Sequence, residues 1–257
     1  MLGVRSMRRR VFPAVVLGLC AWLTSVAGAS AAEIKVLCSN GLREVFAELR
    51  PEFERASGHK VAVTFGLAAA FKQQIEAGEA FDLVVVTPPL LDDMVKQGKV
   101  VDEGRATIAR AGIGIAIRAG ATRPDISNPD AFKHALAAAK SVAFAKAGQS
   151  GVYFAGLLTR LGIADQVKTA PQATGVEVGA AVAHGDAELG VLPVSEILPV
   201  KGVELLGPLP AELQSYVVMA AGVGAGAKEG AAAAELVKFL KSPEHVPVIK
   251  AKGMEPG

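Results

Sequence analysis

FDLVVV, Phe81–Val86, sets four apolar residues in an unbroken run behind a single acid. A strand with one wet face alternates apolar and polar side chains, so an unbroken Val and Leu run points to a strand covered on both faces. Such strands belong to sheets with helices on each side. Upstream, EIKVLCS (Glu33–Ser39) and HKVAVTF (His59–Phe65) read as partners of the same sheet. Between them, Leu42, Val45, Phe46, Leu49 and Phe53 recur at helical spacing, which predicts a helix over Leu42–Ala56 that Pro51 should bend or restart and Gly58 should close. A second helix is expected over Ala69–Ala77, ending at Gly78. Strands alternating with helices in this way imply an α/β fold with largely parallel pairing.

Downstream, ARAGIGIAIRAG (Ala109–Gly120) is a further strand, and Pro124 and Pro129 mark a boundary. A second series follows: a helix near Pro129–Ala139, the strand SVAFA, helices over Ser150–Leu161 and Val176–Ala183, and the strand ELGVLPV. SYVVMAAGV (Ser215–Val223) reads as a return strand and Ala227–Leu240 as a last amphipathic helix. The expected organisation is two lobes, 33–115 plus 217–257 and 116–216, each a mixed, mostly parallel sheet flanked by helices, with a ligand cleft between them.

Arg5 and Arg8 to Arg10 precede an apolar run from Val11 to Ala27, and SVAGASAAE then supplies small residues for cleavage. This is the pattern of a secretory leader over residues 1–32, with a mature start at Ala32 or Glu33. Leu19 is too large to precede a lipidated Cys20. The full chain carries a formal charge of +2, and loss of the four leader arginines brings it to −2. No basic field remains for nucleic acid, and no long apolar run follows the leader. Cys38 is then the sole cysteine, which excludes an intrachain disulfide. About 225 residues remain, enough for one large core or two modest ones.

Four strand-to-helix corners stand out: SNGL (Ser39–Leu42), GLAAAF (Gly66–Phe71), TPPL (Thr87–Leu90) and AGQSGVYF (Ala147–Phe154). Such corners gather at the carboxyl ends of parallel strands, where ligands bind, and the unpaired N–H groups of the following helices favour an anion. Gln149, Ser150 and Gly151 form the strongest of these, with Ser150 a ligand donor or simply a helix cap. GQSGV is not a nucleophile elbow, because Val152 stands where that motif needs glycine. His59, His134, His184 and His245 show no metal spacing and are expected in solvent. VLPVSEILPV (Val191–Val200) places Ser195 and Glu196 at the end of a strand, for ligand contact or for capping.

FERASGHKVAVTFG, GEAFDLVVV, GQSGVYFAGLLTRLGI, VAHGDAELGV and ELLGPLP, in this order behind a leader, resemble the molybdate-binding-protein-like periplasmic solute-binding proteins over essentially the whole mature chain. The resemblance implies a two-lobed type II periplasmic binding fold, a small anionic ligand in the interlobe cleft, and delivery to an inner-membrane ABC permease by a monomer, without cofactor, metal or catalytic residue. Family members that bind molybdate present a serine where Gly41 aligns, another where Leu67 and Ala68 stand, and often a tyrosine at Leu192 or Pro193. Those donors are missing here. The ligand implied is a small organic carboxylate, held by Ser39, Asn40, Gly41, Thr87, Gln149, Ser150, Gly151, Val194 and Ser195 against the methyl groups of Leu67, Ala68 and Ala69. Two other readings stay open: a sensor that passes its closed state to a membrane receptor, and a secreted enzyme, which would need a nucleophile and a base in an arrangement the sequence does not display.

Overall fold

A computed structural model describes residues 2–3 and 31–257, so the leader reading rests on residues that lie outside the described part. Strand β1 (Glu33–Ser39) runs parallel between β2 (Lys60–Gly66) and β3 (Leu83–Val86). The run that begins at Leu83 is buried on both sides, and its alternate residues serve different cores. Leu83 and Val85 join Val45, Phe46, Leu49 and Phe53 of helix α1 (Arg43–Ser57). Val84 and Val86 join Phe71 and Ile75 of α2 (Ala68–Glu76) and Leu91 and Met94 of α3 (Pro88–Lys96). Helix α1 does not restart at Pro51. The proline forfeits one hydrogen bond on the exposed face, while the four buried side chains on either side of it keep both halves of the helix on one core.

Strand β4 (Ala106–Arg118) leads to α4 (Pro129–Ala138), β5 (Val142–Ala145), α5 (Gln149–Arg160), β6 (Thr169–Gln172), α6 (Gly175–His184), β7 (Leu189–Pro193), α7 (Val194–Ile197) and β8 (Val203–Pro208). Strand β9 (Tyr216–Val223), α8 (Gly230–Leu240), α9 (Val246–Ala251) and β10 (Glu255–Pro256) complete the chain. The sheet order is β2-β1-β3-β9-β4-β7-β5-β6, with β8 and β10 also paired to β4. Pairing is parallel at both ends of this order and antiparallel around β9 and β4. Strand β4 runs with β9 from Ala106 to Gly112, then with β7 from Ile113 to Ile117. Where it changes partner, the Gln214 side chain accepts from the Ile113 N–H and donates to the Ile113 carbonyl, both at 3.0 Å.

The late elements return to the first core: Ala233, Leu236 and Leu240 of α8 and Met219 and Ala221 of β9 pack with α1. A separate core joins Ile113, Ile115 and Ile117 to Phe132, Phe144, Phe154 and Val191. Strands β6, β8 and β10 have no expected counterpart, because TAPQ is half exposed and interrupted by Pro171, and the other two sit on the flank of β4.

Two of the four histidines depart from the solvated positions expected of them. His59 and His245 are 8% and 3% exposed. His59 Nδ1 accepts the Ala32 N–H at 3.1 Å, and His245 packs on Phe239 with ring centroids 4.2 Å apart. Each is held at an element end by apolar contacts that a lone polar letter does not signal. Cys38 is a fully buried free thiol, and burial pushes its pKa far above the ordinary range, which disfavours the thiolate.

Asp82 ties three elements together. One carboxylate oxygen accepts the Lys35 N–H of β1 at 2.8 Å, and the other accepts the Glu229 N–H before α8 at 3.0 Å. With the residue only 5% exposed, water cannot replace these bonds. Asp82→Ala is expected to lower stability by about 3 kcal/mol in urea denaturation, the loss of two charge-assisted hydrogen bonds; an effect under about 1 kcal/mol would mean that the backbone donors find other partners.

Candidate ligand cleft

The carboxyl ends of β1, β2, β3, β5 and β7 open on one cleft of about 210 Å³. Its wall takes Asn40 and Gly41 from the turn before α1, Ala68 and Ala69 from α2, Thr87 and Leu90 from the α3 corner, Gln149 and Ser150 from α5, and Gly175 from α6. Each helix leaves its first N–H groups without partners inside the helix, so several helix starts direct partial positive charge toward one small volume. The α3 corner contributes least main chain, because Pro88 and Pro89 carry no N–H. There the Thr87 hydroxyl, which caps nothing, is the polar group on offer.

Ser39, Asn40, Gly41, Leu67, Ala68, Ala69, Thr87, Gln149 and Ser150 all line this cleft, as does a second apolar set including Leu90, Val152, Leu192, Val217 and Met219. Their chemistry is less uniform than the sequence implies. The Ser39 hydroxyl donates to the Val85 carbonyl at 2.9 Å, so it faces a ligand only as an acceptor. Asn40 Oδ1 accepts from Arg43 at 3.0 Å, which leaves its amide NH2 as donor. Ser150 is 4% exposed, and its hydroxyl caps nothing. A Cβ at Gly41 would lie 2.9 Å from Met219 Sδ, so a side chain there requires the end of Met219 to shift.

Three expected residues lie off the wall. Gly151, in the first turn of α5, is buried against the Ala145 carbonyl, where any Cβ would collide. Val194 packs toward Gly114 and Gly253. Ser195 is 3% exposed, and its Oγ has no hydrogen-bond partner among the described residues. Successive helical residues point about 100° apart, so the first turn of α7 turns Val194 and Ser195 elsewhere and sends Glu196 into the cleft.

Glu196 is the one acid on the wall, and no Lys, Arg or His of the described residues joins it there. Its carboxyl rests against the Cα of Gly175, in space that a Cβ would fill, beside Leu192. Part of the side chain is open to the cleft, but protein encloses the carboxyl on its other sides. Burial pushes it from the ordinary 4.5 up to about 7, against a smaller opposing pull from the Arg43 guanidinium. Glycine at 175 and glutamate at 196 therefore form a unit. The local cue is the strand break at Pro193, which marks where α7 begins but not which of its first residues faces the cleft.

The folded state thus binds the Glu196 proton more tightly than the unfolded chain does. That contribution to stability is fully present below about pH 4.5 and is lost as pH rises through about 7. Glu196→Gln, which has no such titration, should gain about 3 kcal/mol relative to the wild type between pH 4.5 and pH 8. Urea denaturation at the two pH values measures this, and a constant difference would mean a carboxyl in ordinary solvent.

Comparison with known proteins fits this architecture. Residues 34–255 match the family of bacterial extracellular solute-binding proteins. An aconitate isomerase from a Pseudomonas species is 30% identical over 230 residues, 87% of each chain. The molybdate-binding protein ModA of Azotobacter vinelandii is 30% identical over 243 residues, 88% of this chain and 90% of that one. The solved structure of the Azotobacter vinelandii periplasmic molybdate-binding protein superposes with a TM-score of 0.74 at 20% identity, covering 87% of this chain and 99% of that one. With a match running from the second residue of β1 to the first of β10, this chain belongs to the bacterial extracellular solute-binding protein family.

Proposed function

We propose that the protein is the periplasmic receptor of an ABC importer, and that its cleft captures a small organic carboxylate rather than molybdate. In this reading 33–115 with 217–257 and 116–216 act as lobes that close on the ligand, and the closed form is what the permease recognises. The observation that carries the ligand class is the composition of the wall. Helix starts and the side chains of Asn40, Thr87, Gln149 and Ser150 suit a carboxylate, while Leu67, Leu90, Val152 and Met219 suit the carbon attached to it. A tetrahedral dianion has no apolar part and needs nearly every oxygen hydrogen-bonded. Gly41, Leu67, Ala68, Leu192 and Pro193 offer no hydroxyl, and each missing charge-assisted bond costs on the order of 1.5–3 kcal/mol.

Glu196 favours a second reading. A buried carboxyl titrating near neutrality inside a carboxylate cleft is suited to taking a proton from carbon and returning it elsewhere, the chemistry that an isomerase of an unsaturated carboxylate requires. One relative carries the name aconitate isomerase, which supports this reading as ModA supports the first.

Two measurements separate the possibilities. A melting-temperature screen of the purified protein against molybdate, tungstate, sulfate, phosphate and short carboxylates should show stabilisation by carboxylates, about 2.7 kcal/mol at a hundred times Kd. Ser150→Ala should weaken that binding about tenfold. Stabilisation by molybdate alone would refute the ligand class. Incubation with cis-aconitate in D2O, followed by NMR, tests catalysis: turnover that Glu196→Gln abolishes makes the protein an isomerase, and an unchanged, undeuterated substrate removes that reading.

A further inference from the structure

Adjoining the cleft lies a second, rear cavity of about 330 Å³, which opens to solvent along the exposed Arg43, Val176 and Lys201. The two share Asn40, Gly175 and Glu196, so they are separated by side chains rather than by a layer of the fold. Their charge differs. The cleft wall carries no cation among the described residues, whereas the rear cavity is bordered by Arg43, His184 and Lys201, with Glu44 as its other acid beside Glu196.

Arg43 is exposed, and two contacts orient it without pairing it with a carboxylate. It donates to Asn40 Oδ1 at 3.0 Å, and its guanidinium lies 4.4 Å above the centre of the Phe65 ring. No ion pair among the described residues engages Arg43 or Lys201. Ser195 borders the same cavity with its unpartnered Oγ, and a buried hydroxyl without a partner is uncommon in a folded protein. The α6 start adds the Gly175 and Val176 backbone, whose N–H groups lie ahead of the first helical acceptor.

We propose that the cleft and the rear cavity form one site for a dicarboxylate or tricarboxylate: one carboxylate rests on the helix starts of the cleft, and a second reaches past Glu196 to Arg43 and Ser195. This rests on the carboxylate reading given above and narrows it. A monocarboxylate leaves Arg43 and Ser195 unused, while a ligand with a second carboxylate gives the guanidinium a geometrically matched partner. Glu196 stands at the junction of the two compartments. As a neutral acid it can donate to either carboxylate, and as an anion it would repel both. Glu44 lies beside Arg43 along α1 without forming an ion pair with it, so no carboxylate of the described residues occupies the guanidinium.

The test is isothermal titration of the purified protein with propionate, succinate, glutarate and tricarballylate. Dissociation constants for the di- and tricarboxylates should be at least tenfold lower than for propionate. Arg43→Gln should collapse that preference by ten- to a hundredfold, and Lys201→Gln, at a position outside the cores, should reduce it by a smaller factor. A preference unchanged in a folded Arg43→Gln protein, or propionate bound as tightly as succinate by the wild type, would overturn the two-compartment site. Failure of every carboxylate to bind would instead overturn the ligand class on which it rests.

Discussion

The cleft wall carries no cation among the described residues, so complementarity to an anion there falls to main-chain N–H groups and neutral polar side chains. This constraint organises the strand ends. Unpaired N–H groups exist in numbers only at helix starts, so strands β1, β2, β3 and β5 must end on the same side and release their helices toward one point. Parallel pairing at each end of the sheet delivers that arrangement. The antiparallel β4 and β9 between them bring the two ends face to face. Side chains are then free to set what the ligand carries besides its charge, which is why methyl groups can occupy corners where a hydroxyl would serve an oxyanion.

Small residues keep this arrangement close-fitting. Gly41 leaves room for Met219, Gly175 for the Glu196 carboxyl, and Gly151 for the Ala145 carbonyl. At Gly151 an added carbon would collide with fixed main chain, whereas at Gly41 and Gly175 it would displace the ends of Met219 and Glu196; each of the three lies at or just inside a helix start. Substituting serine at Gly41 to imitate a molybdate binder would therefore also displace the end of Met219, another residue of the cleft wall. Specificity in this cleft is tied to packing behind the wall as much as to the groups on it.

Much of this was legible in the letters. The Phe81–Val86 run, the helical spacing of Val45, Phe46, Leu49 and Phe53, and glycines closing helices all follow rules that act over a few residues, and β1 and β3 follow them. What escaped depends on distant neighbours. The short edge strand β6 is specified by β5 and not by TAPQ itself. His59 is buried because Ala32 supplies its partner from 27 residues away. The cleft corners were readable because a strand followed by a small-residue helix start is a local pattern. The turn of α7 that presents Glu196 in place of Val194 and Ser195 was not, since one residue of phase decides it. Ser39 belongs with these: its hydroxyl looks free in sequence and is taken by Val85 in space.

Gln214 holds both main-chain groups of Ile113 at the place where β4 leaves β9 for β7. At that crossing the Ile113 N–H also donates to the Ser215 carbonyl at 3.1 Å, and the Ile113 carbonyl also accepts the Leu209 N–H at 3.0 Å, so the amide adds to main-chain bonds and does not replace them. Each main-chain group of Ile113 thus has two partners at the point where β4 changes neighbours, one from the main chain and one from the same amide. A carboxylate or an alkyl side chain at 214 could not serve both groups at once, so the register of this junction is tied to a residue that can both donate and accept.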